Sequence, residues 1–287
     1  MTFHCDFRVR YYECDAYGHA NNATYARYFQ EAAFDASAAL GYTLDWYEEH
    51  GYVWLVRDTR IRYHRPAAYG QTLTASTWVD GFSRVRSERR YELHRDDALV
   101  ADGLSEWAFL ERDTLRPTAI PEEVHCDFLP PGKANHMERS RFPKQPPLPA
   151  EPVIVHRRVE WADVDPMGHA NNAVYFTYTE EAAVQAVAHF GYPMYELIEQ
   201  GIAFFAMEKR IAYDQPALPG DLLRITTYLS DYKRVGGTRH FLLERESDGA
   251  RIARAYTRWA VVNPQTGKPR RLDPAIEADV QEHISHG

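Results

Sequence analysis

"GHANNA" spans Gly18–Ala23 and recurs, letter for letter, at Gly168–Ala173. Each copy lies three residues after an aspartate, Asp15 or Asp165. Extended outward without gaps, Arg8–Tyr42 and Arg158–Tyr192 are identical at 18 of 35 positions. The register continues through Arg60–Ile61 and Arg210–Ile211, Tyr63 and Tyr213, Pro66–Ala67 and Pro216–Ala217, and Arg84–Val85 and Arg234–Val235. Two residues are inserted around Ser247–Gly249, after which Trp107 meets Trp259, and Thr114 and Pro117 meet Thr266 and Pro269. Self-similarity with so long a period marks a duplicated domain and not a solenoid.

Each copy carries the same pattern of elements. An alternating strand comes first, with Phe7, Val9 and Tyr11 on one face, and Val153, Val155 and Val159 in the second copy. A polar turn follows. A helix is then predicted from about Asn22 to Leu40, because Tyr25, Phe29, Ala32, Ala33 and Ala36 recur at helical spacing. Its counterpart runs from about Asn172 to Phe190. An asparagine at the start suits an N-cap, and Gly41 or Gly191 suits the stop. A short helical piece (Leu44–His50; Met194–Gln200) precedes strand-like runs at Val53–Tyr63, Leu73–Val79, Arg84–Leu93 and Leu99–Phe109. One long helix plus an antiparallel meander is an α+β unit. Between the copies, Arg116–Pro152 is dense in proline and reads as an extended, polyproline-like linker. The expected division is therefore 1–115, linker 116–152 and 153–287.

The bulk composition narrows the function. The chain has 287 residues with a formal charge of −8. An acidic chain without a basic face argues against nucleic-acid binding. No apolar run approaches the ~20 residues of a membrane helix, and the N-terminus lacks the apolar core of a signal peptide. The expectation is a cytoplasmic protein. Three cysteines, Cys5, Cys14 and Cys126, suit reduced thiols better than a disulfide framework. His125–Cys126–Asp127 has no second spaced pair of ligands, so no metal and no cofactor are expected.

The repeated loop concentrates chemistry. A carboxylate (Asp15, Asp165), a glycine (Gly18, Gly168), an imidazole (His19, His169) and amides (Asn21, Asn22, Asn171, Asn172) all precede the first turn of a helix. Singly, each has a bland reading as a turn, cap or structural residue, and Tyr25 and Tyr175 read as core. Together they place a carboxylate beside unpaired helix N–H groups, which polarise a carbonyl and hold its developing charge. That combination suits acyl transfer to water.

The stretches "YYECDAYGHANNATYARYFQEA" and "VEWADVDPMGHANNAVYFTYTEEA", with "RYHRPAAYGQTL" and "AYDQPALPGDLL" downstream, resemble the 4-hydroxybenzoyl-CoA thioesterase-like branch of the hotdog superfamily. The resemblance covers both halves and implies a double hotdog, each half a long central helix wrapped by a curved antiparallel sheet. It implies an internal pseudo-dimer with sites at the seam, and further homo-oligomerisation. It implies metal-free hydrolysis of acyl-CoA thioesters. The motif aspartate falls on Asp15 and Asp165, as nucleophile or general base. His19, His169, Asn21 and Asn171 would order the loop or the water. The thioester oxygen would meet helix-start amides near Asn22–Ala23 and Asn172–Ala173, with Gly18, Gly168, Tyr25 and Tyr175 lining the substrate. Glu31 and Glu181 read first as helix-surface or interface residues. Arg84, Arg86, Arg89 and Arg90, with Lys233, Arg234 and Arg239, are candidates for holding the phosphates of CoA, against a plain reading as a solvated strand face.

Other readings stay open. A hotdog hydratase would carry Asp-x-Asn-Pro-x-His, whereas Asp and His here stand four apart without that Asn or Pro. An acyl-carrier-protein thioesterase would carry Asn two residues after the Asp, where this chain has Tyr17 and Met167. A non-catalytic acyl-CoA-binding protein would be expected to lack the aspartates. Ala16–Tyr17 against Pro166–Met167 predicts that the two sites differ in rate or acyl preference.

Overall fold

A computed structural model describes residues 1–287 except 130, 131, 133, 138–140, 234, 286 and 287. Pro130, Pro131 and Arg234 therefore lie outside the described residues. The chain divides into two compact units, Met1–Arg141 and Phe142–Gly287.

The first unit contains β1 (Phe3–Arg8), α1 (Asn22–Ala38), α2 (Leu44–Glu49), β2 (Tyr52–Tyr63), β3 (Thr72–Phe82), β4 (Arg86–Arg95), β5 (Ala98–Glu111) and α3 (Glu122–Phe128). Its strands pair antiparallel in the order β1-β3-β4-β5-β2. The second unit repeats the plan with β6 (Val153–Arg158), α4 (Val174–His189), α5 (Met194–Glu199), β7 (Ala203–Tyr213), β8 (Leu222–Lys233), β9 (Gly236–Arg245), β10 (Arg251–Val262) and α6 (Pro274–Asp279). Its order is β6-β8-β9-β10-β7. Each unit is the α+β hotdog arrangement, one long helix laid against an antiparallel sheet.

The helix packs because its sheet-facing positions are small or aromatic. Ala32, Ala33, Ala36, Tyr25 and Phe29 are buried on α1, and Tyr175, Phe176, Ala182 and Ala186 on α4. Phe29 lies so close to β5 that a Cβ on Gly103 would stand 2.4 Å from its ring, so only glycine admits the ring there. No helix among the described residues is long and apolar enough to cross a membrane.

Two local expectations change. Tyr11 does not continue the first strand: β1 ends at Arg8, and Tyr11 opens a 3-10 turn with 79% exposure. The stretch after Arg116 is not extended throughout, because α3 folds within it. Val124, Phe128 and Leu129 bury themselves with Tyr42 and Phe82, and apolar burial outweighs the neighbouring prolines. Further on, the backbone carbonyl of Pro146 accepts the Tyr228 hydroxyl at 2.8 Å, and Gln145 donates to the Phe241 carbonyl at 3.2 Å. This part of the segment is fastened to the second unit's sheet.

Candidate active site

The loop before α1 is closed by its own backbone. Asp15 N–H donates to the His19 carbonyl at 2.8 Å, and Gly18 N–H donates back to the Asp15 carbonyl at 3.0 Å. Gly18 has φ +78°, which explains the glycine: the turn requires the left-handed region, and no atom crowds the missing Cβ. Ala20 N–H donates to the Ala67 carbonyl at 2.7 Å and anchors the loop to the segment after β2. The second loop repeats all of this. Asp165 N–H meets the His169 carbonyl at 3.0 Å, Gly168 N–H meets the Asp165 carbonyl at 2.9 Å, Gly168 has φ +78°, and Ala170 N–H meets the Ala217 carbonyl at 2.9 Å.

The carboxylates sit half-buried at the mouth of this turn. Asp15 Oδ1 accepts the Tyr17 N–H at 2.9 Å and the His19 N–H at 3.3 Å. Burial raises the Asp15 pKa above the ordinary aspartate value, and those two amides together with the His19 imidazole pull part of it back. Asp165 Oδ1 accepts the Met167 N–H at 2.9 Å, its Oδ2 accepts the Asn171 side-chain amide at 3.4 Å, and His169 Nδ1 stands 3.9 Å from Oδ1. The structure thus brings Asp165, His169 and Asn171 together around one carboxylate.

Asn21, not Asn22, caps α1, and its side chain accepts the Ala23 N–H at 2.8 Å. Asn171 likewise accepts the Ala173 N–H at 2.9 Å, and α4 begins at Val174, two residues later in the repeat than α1, with Ala173 at its N-cap position. The Ala23 and Ala173 amides are therefore occupied by caps. A short polar side chain at the helix start thus holds each of these N–H groups. Tyr25 and Tyr175 are core residues that support the loops from behind. Burial pushes both hydroxyls up to about 12, and Tyr175 accepts the Ala217 N–H at 3.2 Å. Glu31 and Glu181 are exposed on the helix surfaces.

The arginine cluster fares worse as a phosphate site. Arg86 pairs with Glu106 at 3.2 Å and Arg90 with Asp80 at 2.6 Å, while Arg89 and Arg239 are buried inside their units. Strand alternation turns Arg89 inward, while Arg86 and Arg90 face outward and are each held by a carboxylate. Among the described residues no group of three His, Cys, Asp or Glu is placed to hold a metal ion, and Asp127 accepts the Tyr42 hydroxyl at 2.6 Å.

Sequence reasoning missed a supporting layer. Tyr28 donates to buried Glu13 at 2.6 Å, and Tyr178 donates to Asp163 at 2.7 Å. Glu13 also accepts the Arg10 N–H at 2.7 Å, and Asp163 the Glu160 N–H at 2.9 Å, which fixes the turn ahead of each aspartate. Tyr63 and Tyr213 donate to the carbonyls of Asn22 and Asn172 at 3.4 and 2.9 Å. The signal was present, since Tyr28 and Tyr63 recur 150 residues on and an acid stands at 13 and 163.

A family model described as the thioesterase-like superfamily matches residues 9–128 and 159–280. The chloroplastic palmitoyl-acyl carrier protein thioesterase of Gossypium hirsutum is 23% identical over 90% of this chain and 64% of that one. The chain thus spans a little under two thirds of such relatives. The long-chain acyl-CoA thioesterase FadM of Escherichia coli is 28% identical over 41% of this chain and 89% of that one. Among solved structures, the 12:0-ACP thioesterase from Umbellularia californica superposes with a TM-score of 0.71 at 19% identity, covering 94% of each chain. That likeness shows the tandem hotdog fold. With one family model covering both repeats, the chain belongs to the thioesterase-like superfamily.

Proposed function

We propose that the protein hydrolyses acyl thioesters to a free acid and a thiol, with Asp15 and Asp165 as the catalytic carboxylates. The observation that carries this reading is the repeated loop, which sets a half-buried carboxylate beside the start of a long helix in both units. The carboxylate takes a proton from water as the water oxygen attacks the thioester carbonyl. The tetrahedral intermediate collapses, the C–S bond breaks, and the thiolate leaves and is protonated. Direct attack by the carboxylate, followed by hydrolysis of the anhydride, gives the same products. General-base help is worth ~10²–10⁴-fold, and one oxyanion donor ~10²–10³-fold. His169 and Asn171 position Asp165, and the positive end of each helix favours the developing oxyanion. No step calls on a metal.

The carrier reading from the loop pattern is coenzyme A. A second reading, the acyl carrier protein, is favoured by one observation: the relatives matched along most of this chain bear acyl-carrier-protein names. Against it, Tyr17 and Met167 stand where that group's Asn would be. One acyl group offered on both carriers separates them. A kcat/KM at least tenfold higher on CoA supports the first reading, the reverse ratio supports the second, and no thiol release from either removes the hydrolase reading.

A further inference from the structure

Directly opposed residues of an antiparallel pair share a face. The row Lys209–Thr257–Arg239 faces α4, because Lys209 Nζ donates to the Phe176 carbonyl at 3.3 Å. Strand alternation turns the neighbouring Thr238, His240, Tyr256 and Arg258 to the opposite face. Two rows stand side by side there across β8, β9 and β10, Ser230–Thr238–Arg258 and Tyr228–His240–Tyr256. The proline-rich segment crosses this face, where the Pro146 carbonyl accepts the Tyr228 hydroxyl. Between segment and sheet, wholly within the second unit, lies a cavity of about 830 Å³, the size of a small-molecule site. Ser230, Thr238, His240 and Tyr256 form its buried floor. Lys144, Asp231 and Arg258 line it as exposed residues, so the rim opens to solvent and gives a ligand access.

The floor is neutral and the rim carries the charge. His240 Nε2 stands 2.7 Å from Ser230 Oγ, its ring stacks on Tyr228 at 5.1 Å, and its buried Nδ1 has no hydrogen-bond partner. Burial lowers the His240 pKa to about 4, so the ring is uncharged at neutral pH. Arg258 reaches Glu208 only at 3.7 Å, and that carboxylate already accepts the Tyr256 hydroxyl at 2.7 Å. Asp231 is the one acid among the lining residues, and it accepts the Ser230 hydroxyl at 3.2 Å.

The first unit fills the equivalent places with acids. Ser230, Thr238 and His240 correspond to Asp80, Glu88 and Arg90, and beyond the two-residue insertion Arg258 corresponds to Glu106. The registers agree, since Glu88 opposes Glu106 as Thr238 opposes Arg258. Ion pairs hold that face, Arg90 with Asp80 at 2.6 Å and Arg86 with Glu106 at 3.2 Å. The second unit has none of those three acids and sets an arginine where one of them stood. A bound carboxylate restores the missing negative charge, and its two oxygens match the forked donors of a guanidinium. The Nδ1–H tautomer of His240, with Ser230 donating to Nε2, adds a neutral donor at the floor.

We propose that this cavity binds an organic monocarboxylate, with its anionic head at Arg258 and Lys144 and its apolar body against Tyr256, Tyr232 and the prolines of the crossing segment. Binding here is independent of the hydrolase reading, because the cavity lies on the sheet face turned away from α4. Calorimetric titration of the full chain with benzoate, benzamide and inorganic phosphate tests it, since benzoate and benzamide share a shape and differ in charge. The expected result is saturable benzoate binding that weakens roughly tenfold in Arg258→Gln, the scale of one charge-assisted hydrogen bond, and less in Lys144→Ala. Benzamide binds more weakly than benzoate by a similar factor. Ser230→Asp/His240→Arg, which rebuilds the first unit's ion pair on the floor, abolishes binding, and if that variant fails to fold the exposed Arg258→Gln decides alone. The absence of benzoate binding, equal affinity for benzamide or tighter binding of phosphate overturns the proposal. So does benzoate binding unchanged in Arg258→Gln, which puts the anion elsewhere on the chain.

Discussion

Asp15 and Asp165 open loops with the same backbone bonds, yet their second oxygens differ. Asp165 Oδ2 is held by the Asn171 amide, and His169 stands within 3.9 Å of Oδ1. Asp15 Oδ2 accepts no bond from any described side chain, and burial lifts its pKa above the ordinary aspartate range. The difference arises at few positions, since Asn21 and His19 match their counterparts. Pro166 stands where the first loop has Ala16, and proline fixes φ at that position. Identical sequence in a loop therefore guarantees its hydrogen-bond closure, while a neighbouring residue decides how the reactive group is held.

The largest expected effect follows from that comparison. On one thioester, Asp15→Asn should remove the larger share of kcat/KM, and removal of both aspartates should cost ~10²–10⁴-fold, the scale of a lost general base. Asp165→Asn should cost less on the same substrate. Equal residual rates in the two variants would erase the proposed inequality. The Asp165→Asn protein leaves Asp15 as its only catalytic aspartate, so its pH profile is informative. The active form is the carboxylate, and activity should fall as pH drops through the raised Asp15 pKa, above the ordinary aspartate range. An acid limb at or below pH ~4, where unperturbed aspartates titrate, would contradict this.

Next in size are the supporting tyrosines. Tyr28→Phe leaves the buried Glu13 short of a donor and should cost about 1–3 kcal/mol in chemical denaturation. Tyr178→Phe should cost less, because Asp163 is half-buried whereas Glu13 is buried; each carboxylate keeps an arginine at 3.5 Å. Gly18→Ala and Gly168→Ala should cost the same as each other, about 1–2 kcal/mol, because both positions share φ +78°. Unequal losses would place a further difference in the turn itself. The smallest effect belongs to the caps. Asn21→Ala and Asn171→Ala should each lose about 1 kcal/mol of stability. Only Asn171→Ala should also change turnover at its own site, because Asn171 reaches Asp165.

Much of this architecture was readable from the chain. The duplication fixed two like units, helical spacing placed α1 and α4 to within about two residues at each end, and Gly18 and Gly168 marked a turn that demands glycine. What could not be read depends on contacts distant in sequence. The helix in the proline-dense stretch exists because Val124 and Phe128 find Tyr42 and Phe82. The cap falls on Asn21 and not Asn22 because Asn21 N–H is held by the Glu13 carbonyl at 2.8 Å, which sets where the helix starts. Arg89 and Arg239 looked like surface charges within a basic run, and only strand register reveals that they point inward.

The most direct test of the central claim is thiol release from short, long and aromatic acyl thioesters, on CoA and on acyl carrier protein, by wild type and the Asp15→Asn/Asp165→Asn double variant. The loop geometry predicts release by the wild type that collapses in a folded double variant. A double variant that hydrolyses at the wild-type rate would contradict carboxylate catalysis at these loops.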